Sequence, residues 1–273
     1  MSLKYFKYAL FALVLLSTAC SRRGEYDVYL LIGQSNMAGR GFLEPGDTTA
    51  VLDGVYLLDG EGLPVPAVEP LNRYSTIRKG MPVQGVSLAH SFAQQIHSQT
   101  GRKVLLVMNA RGGTSIRSWL KGAPQENYGR GSDDPQNWGK MMPSFYDEAV
   151  RRAKEGMKYG SLKAIVWHQG ESDSDPDRIA GYMENLQTLV RDLRTDLGVG
   201  ADVPFVAGGI LPTHENAPAF NPMLEKIGEW IPNSCFVSSE GLAGNPDNLH
   251  FNRTSQLEFG RRYASAVGGR QCR

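Results

Sequence analysis

The sequence predicts an α/β domain in which a mostly parallel sheet is covered by helices on both faces. Segments rich in β-branched and apolar residues alternate along the chain with segments whose apolar residues recur at helical spacing, and this alternation is typical of βαβ units. The strand segments are nearly continuous apolar runs, as expected when both faces of a sheet are buried. About 250 residues follow an N-terminal leader, which is enough for one α/β domain.

The first strand is predicted over residues 26–32, where it ends at Gly33. The clearest helix is predicted over residues 177–198, because its apolar residues keep one face and Gly198 supplies a C-terminal stop. The remaining strands are predicted at 54–58, 103–109, 162–167, 203–210 and 235–237, and the remaining helices at 86–100, 144–156 and 254–267.

A serine after the first strand and a distant histidine form a candidate nucleophile and base. Ser35 follows Gly33 on the turn at the carboxyl end of the strand, which is where open α/β sheets bind ligands. A serine becomes a good nucleophile at neutral pH only when a base takes its proton. His250 supplies such a base, and Asp247, three residues before it, supplies a carboxylate to orient the imidazole. A serine-containing turn alone is more often an ordinary polar turn, and an Asp-x-x-His segment alone is more often a surface pair. The interpretation therefore depends on the two occurring together with the other motifs.

Two further strands end in polar motifs. The strand at 103–109 leads into Ala110-Arg-Gly-Gly-Thr-Ser115, whose glycines let backbone N–H groups approach a ligand closely. The strand at 162–167 leads into His168-Gln-Gly-Glu-Ser-Asp173. Carboxyl ends of parallel strands share one edge of a sheet, so these motifs are expected beside Ser35.

The ordered motifs Gly-Gln-Ser-Asn, Gly-Gly-Thr-Ser, Trp-His-Gln-Gly-Glu-Ser-Asp and Asp-x-x-His resemble those of the SGNH/GDSL-type hydrolases. More narrowly, they resemble the sialate O-acetylesterase and acetylxylan esterase (carbohydrate esterase 6) branch, over residues 26–267. The resemblance implies a three-layer α/β/α sandwich with a flavodoxin-like sheet, forming a single domain over residues 20–273. It also implies a serine esterase that removes O-acetyl groups from sugars through an acyl-enzyme intermediate and needs no cofactor.

By this resemblance Ser35 is the nucleophile, His250 the general base and then acid, and Asp247 the residue that holds the imidazole. The implied oxyanion hole comprises the Ser35 N–H, a backbone N–H at Gly112 or Gly113 and the side-chain amide of Gln169. Relatives in the wider superfamily have asparagine at the Gln169 position, so its reach differs by one methylene. Glu171 is the alternative triad acid, with ordering of the loop as its other role.

Substrate-binding candidates surround these motifs. The loops at 39–83 and 117–143 follow catalytic motifs and overhang the same sheet edge. An arginine would suit the carboxylate of a sialic acid, whereas acetylated xylan would use an aromatic platform, and the arginines favour sialic acid slightly. The same aromatics are equally suited to pinning loops to the core, and the arginines to structural ion pairs. The candidates are Gln34, Asn36, Arg111, Arg117, Trp119 and Trp138.

Other functions fit parts of the same pattern. A lipase, a thioesterase or a peptidoglycan O-acetylesterase would use the same scaffold, and a glycan-binding lipoprotein would lack catalysis. The absence of a long apolar lid in the sequence weighs against lipids, and the presence of Ser35, Asp247 and His250 together weighs against a non-catalytic role.

The N-terminus predicts export. Residues 1–19 have basic residues before a short apolar run and small residues before Cys20, which is typical of a lipoprotein signal peptide. Cleavage there would leave Cys20 as a lipid anchor, so a periplasmic or cell-surface location is expected. A plain cleaved signal or an uncleaved anchor is the alternative. In an oxidising compartment Cys235 and Cys272 are left either as a disulfide pair or as free thiols.

Composition and spacing argue against two other classes of protein. The formal net charge is +1 and no basic block is present, so the sequence offers no support for binding nucleic acid through phosphate neutralisation. The three cysteines and five histidines match none of the usual zinc spacings, so metal catalysis is not expected.

Overall fold

The computed structural model describes residues 24–78, 84–124 and 141–269. In these ranges the chain forms one seven-stranded sheet of order β3-β2-β4-β1-β5-β6-β7. All neighbouring strands pair in parallel except β2 and β3, which pair antiparallel. The predicted α/β class with a mostly parallel sheet is confirmed. The strands are β1 Tyr26–Gly33, β2 Val55–Leu58, β3 Pro64–Pro66, β4 Lys103–Ala110, β5 Gly160–His168, β6 Phe205–Gly208 and β7 Ser234–Val237.

Helices follow most of the strands, and their ends carry the expected capping residues. Ser144 and Asn252 accept hydrogen bonds from first-turn N–H groups, and Gly198 ends a helix in the left-handed conformation. Short 3₁₀ helices cover Leu71–Tyr74 and Ile116–Trp119. The α-helices are α1 Ser35–Ala38, α2 Ala89–Thr100, α3 Phe145–Met157, α4 Pro176–Ile179, α5 Tyr182–Leu197, α6 Ala217–Glu225, α7 Ile227–Trp230 and α8 Arg253–Gly268.

The central strand β1 separates two apolar layers. Its side chains alternate between faces, so Val28 and Leu30 belong to the core that includes buried residues of α3 and α5. Tyr29 and Leu31 belong to the core that includes buried residues of α2 and α8. All of β1 is buried, which explains why its sequence lacks the polar alternation of a one-sided strand. The result is the expected three-layer sandwich.

The strand register brings the polar motifs together. β1 lies between β4 and β5, and Gly33 pairs with Ala110 on one side and His168 on the other. The residues that follow these three positions therefore leave the sheet at one level. Strand order reverses direction at β1, which is the usual place for a ligand crevice in an open sheet.

Three local features differ from the sequence predictions. The helix predicted over 177–198 is broken into α4 and α5 at Gly181, whose φ is 80°. The edge strand β3 was not predicted; it contains two prolines, and an edge position tolerates them because it needs fewer ladder donors. The pair α6 and α7 was also missed, because Pro222 lies inside α6.

The predicted signal at residues 1–19, the predicted anchor at Cys20 and the expected cysteine partner Cys272 lie outside the described residues. Cys235 is disulfide-bonded. None of the helices in the described ranges is long and apolar enough to cross a membrane.

Candidate active site

Ser35 is presented by a tight connection between β1 and α1. Gly33 has φ of 138°, and a Cβ at this position would lie 2.1 Å from the carbonyl oxygen of His168. Only glycine fits there, and the close approach lets the Gln34 N–H donate to the same carbonyl at 2.9 Å. The chain then turns into α1, whose first residue is Ser35. The backbone N–H groups of a first helical turn have no partner within the helix, so the Ser35 N–H has no acceptor inside α1.

His250 and Asp247 complete a hydrogen-bonded series with Ser35. The Ser35 Oγ lies 2.9 Å from His250 Nε2 although the two residues are 215 positions apart. His250 Nδ1 lies 2.7 Å from Asp247 Oδ2. The other carboxylate oxygen, Asp247 Oδ1, accepts the backbone N–H groups of Leu249 and His250, both at 3.0 Å. Asp247 therefore stabilises the loop at 247–250 with one carboxylate oxygen and orients the His250 ring with the other.

The partners of the His250 ring define its tautomer. A carboxylate only accepts hydrogen bonds, so Nδ1 carries the proton and Nε2 is free to accept from the Ser35 hydroxyl. Partial burial alone would raise the pKa of Asp247, but the hydrogen bonds from the His250 and Leu249 backbone and from the imidazole hold it below its ordinary value. Asp247 is consequently ionised at neutral pH, as the series requires.

The loop after β4 forms the other wall of the site. Gly112 and Gly113 line the cavity with Ser35, and Gly113 has φ of 72°, a conformation that favours glycine. Asp173 secures the loop, since its carboxylate accepts from Ser115 Oγ at 2.5 Å and from the Ile116 N–H at 2.8 Å. Gly112 and Gly113 therefore lie on a fixed loop that shares a cavity with the nucleophile.

The prediction that the side-chain amide of Gln169 is an oxyanion donor is wrong, because this amide donates inside the protein. Its side chain is fully buried, and Gln169 Nε2 donates to the Thr114 carbonyl at 3.0 Å and to Asp173 at 2.5 Å. Both amide hydrogens are thus used inside the protein. Gln169 supports the glycine loop rather than facing a substrate carbonyl, and the extra methylene relative to asparagine carries its amide to these partners.

Glu171, the alternative acid, contacts a different histidine. Its Oε1 lies 3.3 Å from His168 Nε2 and accepts from Asn36 Nδ2 at 2.5 Å. Burial raises the pKa of Glu171, but the hydrogen bond and charge of His168 and the bond from Asn36 outweigh burial and lower it. Glu171 is therefore an ionised, buried group behind the site, whereas Asp247 occupies the position on the His250 ring.

The site opens into a cavity of about 310 Å³. Two larger cavities, of about 580 and 550 Å³, lie against α8 and α5, and among the described residues neither is lined by a histidine. Chemistry therefore marks the smaller cavity as the candidate site. Its lining comprises Gln34, Ser35, Arg40, Gly112, Gly113, Glu171, Ser172, Leu249 and His250.

Several substrate-binding predictions are not supported. Trp119 is fully buried and packs edge-on against Trp167 at 5.4 Å, so it pins its loop to the core and cannot stack on a sugar. Asn36 is fully buried as well, with its amide bonded inside the protein. Arg111 donates to the Ile77 carbonyl at 2.8 Å and is not among the residues that line the cavity. Trp138 lies outside the described residues.

Of the remaining candidates, Gln34 lines the cavity, whereas Arg117 is exposed in a 3₁₀ helix and is not among the lining residues. Sequence reasoning missed Arg40, which does line it. Burial lowers the pKa of Arg40, and the nearby Asp247 carboxylate offsets part of that shift. Arg40 could have been predicted from its position in the sequence, directly after the Gly-Gln-Ser-Asn-Met-Ala-Gly motif.

The described residues hold no group of three or more His, Cys, Asp or Glu side chains arranged to bind a metal ion.

Comparison with known proteins identifies the family. Residues 25–268 match the model of a family described as carbohydrate esterase, sialic acid-specific acetylesterase. The chain belongs to this family. The resemblance seen in the motifs is confirmed, and the protein is a carbohydrate esterase by family.

Individual relatives agree with the family match. A protein of Arabidopsis thaliana named as a probable carbohydrate esterase is 28% identical over 268 residues, which cover 90% of this chain and 91% of the relative. The X-ray structure of that Arabidopsis protein has a TM-score of 0.73 at 26% identity, covering 91% of this chain and all of the other.

Two more distant structures share the fold. The crystal structure of NanS has a TM-score of 0.64 at 18% identity and covers 90% of this chain and 97% of its own. A carbohydrate acetylesterase from Xanthomonas citri has a TM-score of 0.60 at 15% identity, covering 88% of this chain and 55% of its own. These matches place the esterase in a three-layer α/β/α fold.

Proposed function

We propose that this protein is a serine esterase that removes O-acetyl groups from carbohydrates through an acyl-enzyme intermediate. The observation that carries the proposal is the unbroken series from Ser35 Oγ to His250 Nε2 at 2.9 Å and from His250 Nδ1 to Asp247 at 2.7 Å. Nucleophile, base and orienting acid in hydrogen-bond contact are the geometry that serine acyl transfer requires.

In the first half-reaction Ser35 Oγ attacks the acetyl carbonyl while His250 Nε2 takes the hydroxyl proton. Asp247 stabilises the imidazolium that forms. The tetrahedral oxyanion would be held by the N–H groups of Ser35 and of Gly112 or Gly113, since these residues line the same cavity. His250 then returns the proton to the sugar oxygen, which leaves as an alcohol.

In the second half-reaction water replaces the sugar. His250 Nε2 takes a proton from the water as it attacks the acetyl-Ser35 ester, and the collapse of the intermediate returns that proton to Ser35 and releases acetic acid, which loses its own proton to solvent. No other group of the protein is needed for these proton transfers, so the proposed mechanism uses no cofactor.

For the substrate, we propose an O-acetylated sugar that carries a carboxylate, as sialic acid does, over acetylated xylan. The support is Arg40, a partly buried guanidinium on the wall of the cavity that also contains Ser35. A guanidinium pairs with a carboxylate through two parallel hydrogen bonds. Arg40 replaces Arg111 and Arg117 as the basis of this preference.

The catalytic proposal is tested with Ser35→Ala on an aryl acetate. We expect a folded protein whose kcat falls by at least about 10³-fold, because nucleophile removal in serine hydrolases costs more than this. Mass spectrometry of the wild-type protein during turnover should detect one acetyl group on Ser35. Wild-type turnover by the alanine variant would refute the mechanism.

The substrate proposal is tested separately with Arg40→Gln. Acetate release should be measured on O-acetylated sialic acid, on its carboxyl methyl ester and on acetylated xylo-oligosaccharides. The variant should lose about 10–100-fold in kcat/KM on the free acid only, since a hydrogen bond to a charged group contributes about 1.5–3 kcal/mol. Equal losses on all three substrates, or a wild-type preference for the xylan fragments, would exclude carboxylate recognition by Arg40.

A further inference from the structure

The side chain of Asn36 joins the nucleophile turn to the loop that carries His250. Asn36 Oδ1 accepts from the Phe251 N–H at 3.0 Å, and Asn36 Nδ2 donates to the Leu249 carbonyl at 3.3 Å. Leu249 and Phe251 flank His250 on both sides. One buried amide, next to Ser35 in the sequence, therefore holds the backbone before and after the base.

The orientation of this amide is determined by its surroundings. The Phe251 N–H and the Gln256 side-chain amide, at 3.2 Å, are both donors and require the oxygen. The Leu249 carbonyl and the Glu171 carboxylate, at 2.5 Å, are both acceptors and require the nitrogen. All four hydrogen-bonding positions of the amide are filled, and a flipped amide would oppose every one of them.

Glu171 is the acceptor in its contact with Asn36, through Oε1. His168, fully buried behind it, lies 3.3 Å from the same Oε1 atom. On its far side His168 Nδ1 lies 3.1 Å from the Tyr263 hydroxyl, which itself donates to the Trp167 carbonyl at 2.9 Å. The His168 ring is thus fixed between the Tyr263 hydroxyl and Glu171.

We propose that Asn36 is a positioning residue for catalysis, held by Glu171, and that it keeps His250 at the distance from which Nε2 reaches the Ser35 hydroxyl. This inference rests on the proposed function of Ser35 and His250. Neither Asn36 nor Glu171 needs to touch the reacting atoms for this role. A displacement of about 1 Å at a catalytic group lowers rates by about 10²-fold, so the loss of this contact should appear in kcat.

The test uses the full chain with an aryl acetate and compares Asn36→Asp, Glu171→Gln and the double variant. Asn36→Asp places a carboxylate oxygen against Glu171 and the Leu249 carbonyl, so we expect about a 10²-fold loss in kcat with KM changed less than about threefold. Glu171→Gln keeps an acceptor oxygen but loses the charge, and about a tenfold loss is expected. In the double variant the new amide of residue 171 donates to the new carboxylate at 36, which should restore at least about tenfold of the activity lost in Asn36→Asp.

Asn221→Asp serves as the matched control. Asn221 also uses its amide inside the protein, accepting from the Ile210 N–H at 2.9 Å and donating to the Ile210 carbonyl at 3.1 Å and to Ser239 Oγ at 3.4 Å. None of these partners belongs to the loop that carries His250. Its variant should lose thermal stability while kcat stays within about twofold of the wild type. A folded Asn36→Asp variant with wild-type kcat, or a double variant less active than Asn36→Asp, would overturn the proposal.

If Asn36→Asp does not fold, Glu171→Ala and Glu171→Gln decide the question. Glu171→Ala should lose more in kcat than Glu171→Gln at similar KM, and wild-type kcat in folded Glu171→Ala would overturn the proposal. Ser35→Ala separates the two levels of inference. An active Ser35→Ala protein would refute the proposed function itself, whereas an inactive one combined with unaffected Asn36 variants would refute only the positioning role.

Discussion

Replacing Asp247 with asparagine removes the negative charge beside His250 and leaves most of the loop intact. The amide oxygen of an asparagine can still accept the Leu249 and His250 N–H groups that Asp247 Oδ1 accepts at 3.0 Å. Its nitrogen would then face His250 Nδ1 in place of the carboxylate oxygen at 2.7 Å. The ring would be left with a donor opposite Nδ1, which favours the tautomer whose Nε2 already carries a proton and cannot accept the one on Ser35.

The size of the loss follows from distance and exposure. Opposite unit charges 2.7 Å apart attract by about 1.5 kcal/mol in water and by about 6 kcal/mol at an effective dielectric constant of 20. The His250 side chain is 17% exposed and that of Asp247 is 47% exposed, so the interaction lies between these limits, at about 3–4 kcal/mol. Since about 1.4 kcal/mol corresponds to tenfold in rate, Asp247→Asn should lower kcat by about 10²–10³-fold.

Steady-state kinetics on an aryl acetate measure this loss, with circular dichroism to show that the variant is folded. Glu171→Gln provides the comparison, with an expected loss of about tenfold from weaker positioning of Asn36. A folded Asp247→Asn variant within threefold of wild-type kcat would refute the assignment of the acid. A larger loss in Glu171→Gln than in Asp247→Asn would transfer the charge-stabilising role to Glu171.

Three further outcomes are expected. Aryl acetate should be hydrolysed at least about tenfold faster than aryl butyrate, because family resemblance implies an acetyl-sized acyl site and each extra methylene that fails to fit costs about 1–3 kcal/mol; equal rates would contradict it. Arg152→Met should lower stability by about 1–3 kcal/mol, seen as a drop of several degrees in Tm, because Arg152 is buried and donates to the Leu58 and Asp59 carbonyls at 2.7 and 3.1 Å, which would be left unpaired; an unchanged Tm would contradict this. Stability should fall as pH drops through about 4, because the pKa values of Asp47, Glu148, Glu171 and Asp247 lie below their ordinary values in the folded protein. The unfolded chain then takes up more protons in that range, so a urea midpoint at pH 3.5 equal to that at pH 7 would exclude the effect.

The sheet was predictable because its central strands are buried on both faces. β1, β4 and β5 are apolar runs whose observed ends lie within about two residues of the predicted ones. Periodicity did not predict the break in the helix at Gly181, because the apolar spacing continues across it. Ile179, before the break, packs against the same core as α5. The antiparallel edge strand Pro64–Pro66 was missed because its prolines indicate a loop when read in isolation.

The candidate site also contains residues that the sequence predicted correctly and residues whose roles it did not predict. Ser35, Gly112 and Gly113 were predictable because they follow strand ends, and parallel register brings strand ends together. The roles of Gln169, Trp119 and Asn36 depend on which direction each side chain takes after the backbone has turned, and sequence spacing does not contain that information. Each of them points into the protein and supports a loop, where the sequence had suggested contact with substrate.

The two carboxylates near the His250 loop differ in environment, and that difference explains their separate tasks. Asp247 is half exposed and contacts Nδ1 of the ring that becomes positively charged when Nε2 takes a proton, so it meets an imidazolium only when the reaction creates one. Glu171 is buried, and its Oε1 is already shared between His168 and Asn36. If Glu171 turned towards a second imidazole, His168 and Asn36 would both lose their contact with Oε1, which is costly in the interior. Glu171 therefore cannot replace Asp247 when that carboxylate is removed, and the presence of a second carboxylate nearby should give no protection to the Asp247→Asn variant.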